Sequence, residues 1–401
     1  MFFSLVGKVI EVACDMSSAK TVPELEATLK NVTQQLEKFQ YLNNQGLYNA
    51  LHLTQLSQEI QQLHDTMNNV ELDKAGGEAQ QIRTELQKFH RDVNKMYSKN
   101  VFNLETMREK LRSLSNRVQN CRTIPKTSGV RFYCSERMMR NITAPVVTKM
   151  NPFSSFYIAG AWGHDFDNDG EETYWIQPLA SGNRLGITVR FYQTYEDFMA
   201  ERNHRDESLV NSYTHSNAIQ GPGTIVYKGV VYYQCYNLPD ICAFDLKTKQ
   251  FRRLALPNAG FNNKFPYCYY SCFDWTDINL SADDKGLWVM YATEANHGNV
   301  VVSRVDTEGF NITHTWKTRL FKRSATNAFM VCGVLYATRY INTYKEEVFY
   351  AFDTTIGMED NTLSLPMEKV AAGVANLHYN PTDMRLYMYN GGYMLAYQAY
   401  F

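Results

Sequence analysis

The sequence predicts an N-terminal α-helical coiled coil followed by an all-β propeller of five blades. Three observations carry this expectation. An apolar stripe at steps of three and four runs through residues 22–121, the chain breaks at Pro125–Gly129, and strand-like alternation in a recurring unit follows from residue 134. The implied domains are an N-terminal segment over 1–21, the coiled coil over 22–121, a linker over 122–133 and the propeller over 134–401.

The helical stripe reads Leu25, Leu29, Val32, Leu36 and Phe39, then Leu53, Leu56, Ile60, Leu63, Met67 and Val70. After Gly76 and Gly77 it resumes at Ile82, Leu86, Phe89, Val93 and Met96, and a last run goes from Leu104 to Val118. Gln, Glu, Lys and Asn fill the other positions. So narrow a seam cannot close a core alone and must face another helix. A homo-oligomeric coiled coil meets that need; an antiparallel bundle within one chain is the alternative. Breaks near Asn43–Gly46 and at Gly76 imply hinged segments. Cys121 continues the seam and Cys14 precedes it, so both are candidates for interchain disulfides, with core thiols or intrachain pairs as the alternative.

Pro125–Gly129 ends the helix. Beyond it, Thr224–Tyr227, Val230–Tyr233, Leu287–Tyr291, Val334–Ala337 and Arg385–Tyr389 read as strands. Each recurring unit has a turn, an aromatic strand, a gap and a strand ending near Asp. The turns are Lys228-Gly229, Lys285-Gly286, Cys332-Gly333 and Thr382-Asp383, and the closing strands end at Asp245, Asp306 and Asp353. A repeat of roughly 45–60 residues with several strands per unit is the mark of a propeller, and about five such units fit the region.

Composition narrows the function. With 40 Lys and Arg against 41 Asp and Glu, the net charge of -1 gives no reason to expect a nucleic-acid partner. No stretch is long and apolar enough for a membrane span. The eight cysteines form no CxxC pair, which favours disulfides in an oxidising, extracellular compartment over zinc or thioredoxin chemistry; eight buried thiols in the cytosol are the alternative. Sequons at Asn31, Asn141 and Asn311 agree with secretion, and Asn279 also begins one. Met1–Gly7 opens like a signal peptide, but Lys8 and Glu11 interrupt the apolar run, so the signal is not clear in this numbering.

The residues become specific at Ile158–Trp162, Asn258–Tyr267, Thr276–Leu280, Asp283–Trp288, Asn327–Gly333 and His378–Pro381. In this order and spacing they resemble the olfactomedin domain of olfactomedins, noelins, myocilin and latrophilins. The resemblance covers about two thirds of the chain. It implies a five-bladed propeller and a disulfide joining Cys134 to Cys332, although Ser135 stands where the family usually has Gly. It also implies a calcium site in the central channel, whose motif positions fall on Asn279, Asn327, Ala328, Leu377 and His378. Two carboxylates of that motif have become Asn and His here. Calcium prefers anionic oxygen, and neutral imidazole is a poor ligand, so this site is expected to be weak or lost.

Four cysteines remain. Cys235 and Cys242 flank a turn, and Cys268 and Cys272 sit in a Tyr-rich loop; two local disulfides or a cross-pairing are all allowed. Asp165–Gly170 matches half of a calcium loop but lacks the closing Glu, since Ile176 stands there; it reads as a surface turn. No G-x-S-x-G, H-E-x-x-H or P-loop occurs, and Asp274 with Asp277 gives no sign of a glycosidase pair. The expected function is a secreted oligomeric glycoprotein, not an enzyme, that acts as a matrix or cell-adhesion scaffold and binds an extracellular protein or glycoprotein through its heads. The Tyr-rich loop over 267–272 is one expected contact surface. A structural mucus polymer and a propeller hydrolase are the alternatives.

Overall fold

The computed structural model describes residues 138–165, 173–264, 270 and 275–401, together with Thr84, Lys88 and Arg91. Those last three are helical and exposed. The remainder of the coiled-coil region, the linker, Cys14, Cys121, Cys134, Cys268, Cys272 and Asn31 lie outside the described residues.

Five antiparallel blades follow one another along the chain. Blade I uses Gly160–His164, Tyr174–Pro178, Thr188–Tyr192 and Arg205–Ser208. Blade II uses Ile225–Tyr227, Val230–Gln234, Asp240–Asp245 and Phe251–Ala255. Blade III uses Asn279–Asp283, Gly286–Ala292, Asn299–Asp306 and Asn311–Phe321. Blade IV uses Asn327–Val331, Val334–Asn342 and Lys345–Asp353, with Met358–Asp360 and Leu365–Glu368 both along its outer edge. Blade V begins with Val374–Asn380, Arg385–Asn390 and Tyr393–Tyr400.

The fourth strand of blade V comes from the opposite end of the domain. Asn141–Ile142 and Val147–Met150 both pair with Tyr393–Tyr400, placing Asn141 opposite Tyr400 and Val147 opposite Ala396. This exchange closes the ring, because each end of the domain completes a sheet begun by the other.

Strand burial follows position in the blade. The innermost strands of blades III, IV and V are buried at every residue, so their sequences show little alternation. The outer strands Phe251–Ala255 and Leu365–Glu368 carry exposed residues. Turns between the first two strands depend on residues that accept left-handed backbone: Lys228 and Gly229 have φ of 53° and 71°, Cys332 and Gly333 55° and 78°. Two consecutive left-handed residues match the twist of the flanking strands in a two-residue hairpin.

Aromatic rings fill the space between blades. Trp162 of blade I stacks on Phe198 at 5.3 Å and meets the edge of Tyr387 of blade V at 4.9 Å. Its Nε1 donates to the Met388 carbonyl at 2.8 Å. Trp175, Trp288 and Trp316 are equally buried. Each such ring contributes roughly 2–3 kcal/mol of apolar burial.

Polar bonds recur at the blade junctions. Asp165 at the end of the first strand of blade I accepts from the Gly229 N–H of blade II at 3.0 Å. Asp283 of blade III accepts from the Gly333 N–H of blade IV at 2.7 Å. Asn380 of blade V donates to the His164 carbonyl of blade I at 2.9 Å. Asp165 is therefore a buried junction residue, where the sequence suggested a surface turn; residues 166–172 lie outside the described set.

Cys235 and Cys242 are joined by a disulfide with Cα atoms 5.2 Å apart, which leaves no cross-pairing for these two. Both lie in the core of blade II. Cys332 is also disulfide-bonded, and its partner lies outside the described residues.

Candidate functional site

Two regions hold the residues of interest: the central channel and one rim of the propeller. The innermost strands bring all five calcium-motif positions to the channel region. Asn279 opens the first strand of blade III, Asn327 and Ala328 open that of blade IV, and Leu377 and His378 lie within that of blade V. All five are buried.

Their polar atoms engage one another. Asn279 Nδ2 donates to Asn327 Oδ1 at 3.1 Å, and the Ala328 N–H donates to the same oxygen at 2.9 Å. Asn327 Nδ2 points to the Ala375 carbonyl at 3.5 Å. Asn376 Nδ2 donates to the Pro222 carbonyl at 2.7 Å, leaving its Oδ1 for His378 Nδ1 at 2.8 Å. The imidazole lies against Trp175 and Tyr387, each with ring centroids 5.7 Å away. Burial pushes its pKa down to about 3, so the ring is neutral at any physiological pH.

These residues do not fit a calcium ion. The motif positions contain no carboxylate, both lone pairs of Asn327 Oδ1 are in use, and calcium takes about six to eight oxygens. A divalent charge here would be buried without an anion. Among the described residues, no cluster of three His, Cys, Asp or Glu could hold a metal. Two members of the network, Asn376 and Gly163, were not found from the sequence. Asn376 sits two residues before His378 on one strand, and that spacing was the available signal. Gly163 has none: its role is that a Cβ there would lie 2.6 Å from His378 Nε2.

The second region is a rim built from the loops on one side of blades IV, V and I. In this topology the turns between second and third strands share a face with the connections between blades. That face carries Tyr340, Ile341 and Tyr344 of the blade IV hairpin, Val370 of the next connection, and Phe156 and Ile158 of the connection into blade I. All are exposed; Phe156 is 81% and Tyr344 66% accessible. The loops are bonded into one surface. The Lys369 N–H donates to the Tyr344 carbonyl at 2.9 Å, and Asn390 Oδ1 accepts from the N–H groups of Val370 and Ala371 at 2.9 and 2.8 Å. Asn151 Nδ2 donates to the Gly392 and Ser154 carbonyls, both at 3.0 Å. Tyr389 donates to the Tyr157 carbonyl at 2.8 Å. So many exposed apolar side chains on rigidly held loops suit a protein interface.

The Tyr-rich loop over 267–272 behaves otherwise. Its one described residue, Tyr270, is fully buried with Lys322 Nζ 4.1 Å above its ring. This corrects the expectation that Tyr270 offers a contact surface: the ring is taken by the core and by a buried cation. Asp277 is buried too, accepting from the Asn263 N–H at 3.2 Å, so it lines no open cleft. Sequon residues Asn141 and Asn311 are exposed, whereas Asn279 is only 3% accessible.

Comparison with known proteins agrees with this architecture. Residues 130–401 match the family model of the olfactomedin-like domain. The chain belongs to the olfactomedin family. It is 35% identical to human olfactomedin-4 over 330 residues, which cover 79% of this chain and 62% of that protein. It is 32% identical to the olfactomedin of Aquarana catesbeiana over 385 residues, covering 92% of this chain and 81% of that one. Adhesion G protein-coupled receptor L1 of Mus musculus is 34% identical over 272 residues, 64% of this chain but 17% of the receptor. The chain thus spans less than two thirds of human olfactomedin-4. No helix among the described residues is long and apolar enough to cross a membrane.

Proposed function

We propose that this chain is a secreted, extracellular binding scaffold whose propeller head docks an extracellular protein or glycoprotein through the rim formed by Phe156, Ile158, Tyr340, Ile341, Tyr344 and Val370. The observation that carries this reading is the exposed apolar side chains on loops held together by backbone and amide bonds. Ordering entropy opposes binding by loose loops, and preorganised ones avoid much of it. The family's domain also occurs in a protein named as an adhesion receptor, in keeping with a contact role.

The helical seam over 22–121 supplies oligomerisation in this proposal, with Cys14 and Cys121 as covalent links between chains. Several heads on one stalk raise weak contacts to useful avidity. Asn31, Asn141 and Asn311 are the proposed glycosylation sites, and Cys134 the proposed partner of Cys332. Catalysis has no place in this reading; the buried carboxylates Asp165 and Asp283 are engaged in structural hydrogen bonds between blades.

The test compares full-length protein with its Phe156→Ser/Tyr344→Ser variant for retention on an extracellular-matrix preparation. Mass in solution is measured for both, with and without reductant. Retention lost by the variant, at unchanged oligomer mass and melting temperature, supports the rim. Equal retention sinks it. A reductant-independent monomer sinks the multivalent stalk.

A further inference from the structure

We propose that the propeller's centre is closed by a neutral amide–imidazole network with an ordered water at Asn279 Oδ1, so that this head folds and persists without calcium. The disagreement between these residues and a calcium site is the starting point, and the bonding of each group carries it further.

Asn327 cannot turn. Its Oδ1 accepts from Asn279 Nδ2 and from the Ala328 N–H, so exchanging the amide nitrogen and oxygen would set donor against donor. Asn279 is thereby oriented as well, with Nδ2 towards Asn327. Asn376 is anchored by its bond to the Pro222 carbonyl, so it presents an oxygen to His378. That oxygen only accepts, which places the imidazole proton on Nδ1. The ring itself has no room to leave: Trp175 and Tyr387 pack against it, and Gly163 sits against its Nε2. Strands of blades III, IV and V and the connection at Pro222 are thus tied together with no charged group in these bonds.

One atom of this network is left over. Asn279 Oδ1 is buried with no hydrogen-bond partner among the described residues. Such an oxygen calls for a donor, and a water molecule provides one without bringing charge into the channel. A cation there would find no carboxylate among the motif positions, whose side chains are those of Asn279, Asn327, Ala328, Leu377 and His378. The network thus does by hydrogen bonding what an ion would do by charge, namely hold the first strands of neighbouring blades at fixed spacing.

The experiment uses full-length protein in millimolar calcium and in chelator. Calcium binding is read by equilibrium dialysis, and thermal melting is followed in parallel. The proposal expects the wild-type melting temperature to agree between the two conditions to within about a degree. The Asn279→Asp/His378→Asp variant restores two carboxylates and is expected to bind one calcium ion, with a melting temperature roughly 3–6 °C higher in calcium than in chelator. A calcium-dependent rise in the wild type that survives in an Asp167→Asn/Asp169→Asn variant overturns the proposal, because the ion then sits in the channel. A rise that vanishes in that loop variant places the ion on the acidic loop and leaves the channel network standing. Should the double carboxylate variant fail to fold, dialysis of the wild type and of the loop variant decides: calcium bound by both overturns the proposal, and none bound by the loop variant supports it. A crystal structure adds an independent reading: a contact to Asn279 Oδ1 near 2.8 Å identifies water, and one near 2.4 Å identifies calcium.

Discussion

Asp283 and Gly333, fifty residues apart, are joined by a hydrogen bond of 2.7 Å from the Gly333 N–H to Asp283 Oδ2. The other oxygen of Asp283 accepts from the Lys285 N–H at 2.8 Å and from Trp288 Nε1 at 2.7 Å. One buried carboxylate therefore fixes a turn in its own blade, a core tryptophan and the hairpin of the next blade. Burial raises its pKa above the usual carboxylate range, and the three N–H donors offset only part of that rise. Asp283→Ala leaves all three donors buried without an acceptor. The expected loss is about 3 kcal/mol or more. Chemical denaturation of the variant measures it, and a loss under about 1 kcal/mol would mean that water replaces the carboxylate.

The channel histidine sets a steric prediction. Gly163→Ala places a methyl group 2.6 Å from His378 Nε2, and neither ring packed on the imidazole leaves space for it to retreat. The expected cost is ~2–3 kcal/mol, typical of overpacking in a close-packed core. Gly163→Ala combined with His378→Ala should recover part of that loss, whereas additive losses would show that the clash lies elsewhere.

The buried ion pair Lys369–Glu346, 2.5 Å apart with both side chains inaccessible, predicts an asymmetry. Glu346→Gln leaves a buried ammonium facing a neutral amide, at an expected cost of about 3–5 kcal/mol. Lys369→Met/Glu346→Leu removes both charges and should cost much less, since it also removes their desolvation. Melting curves for the single and double variants decide; equal losses would show that Thr326 and the Ala372 carbonyl, the pair's other partners, dominate.

Asp245 gives the pH dependence. The N–H groups of Thr248 and Lys247 hold its carboxyl below the usual carboxylate range. A depressed folded pKa means stability present above the unfolded value of about 3.9 and lost as pH falls through the folded value. Asp245→Asn should flatten the acid limb of the stability profile below about pH 4 while changing neutral stability by at most ~1 kcal/mol, since the group is largely solvated. An unchanged acid limb would assign it to other carboxylates.

Glycan mapping by mass spectrometry should find Asn141 and Asn311 modified and Asn279 bare in the folded, secreted protein. A glycan on Asn279 cannot coexist with a side chain buried to 3% against Asn327. Its detection would mean that blade III is not packed as described.

The sequence by itself determined the change of period after Pro125, the recurring strand units and the turns at Lys228-Gly229 and Cys332-Gly333, because each is a local property of neighbouring residues; that both residues of each turn are left-handed came from the structure. Through the family resemblance it also placed Asn279 and His378 at two motif positions where the family has carboxylates, and the poorer ligand chemistry of Asn and His follows from residue identity. Only the tertiary structure decided what joins distant residues. Asn141–Ile142 and Val147–Met150 are too short and too ordinary to announce that they complete a blade with Tyr393–Tyr400. Cys235 chose Cys242 because a hairpin brought their Cα atoms within 5.2 Å, where composition allowed other pairings. The tyrosines of 267–272 and of the Tyr340–Tyr344 hairpin look alike in sequence, yet Tyr270 lies under Lys322 while Tyr344 faces solvent. Burial belongs to the folded chain as a whole, and no short window of residues contains it.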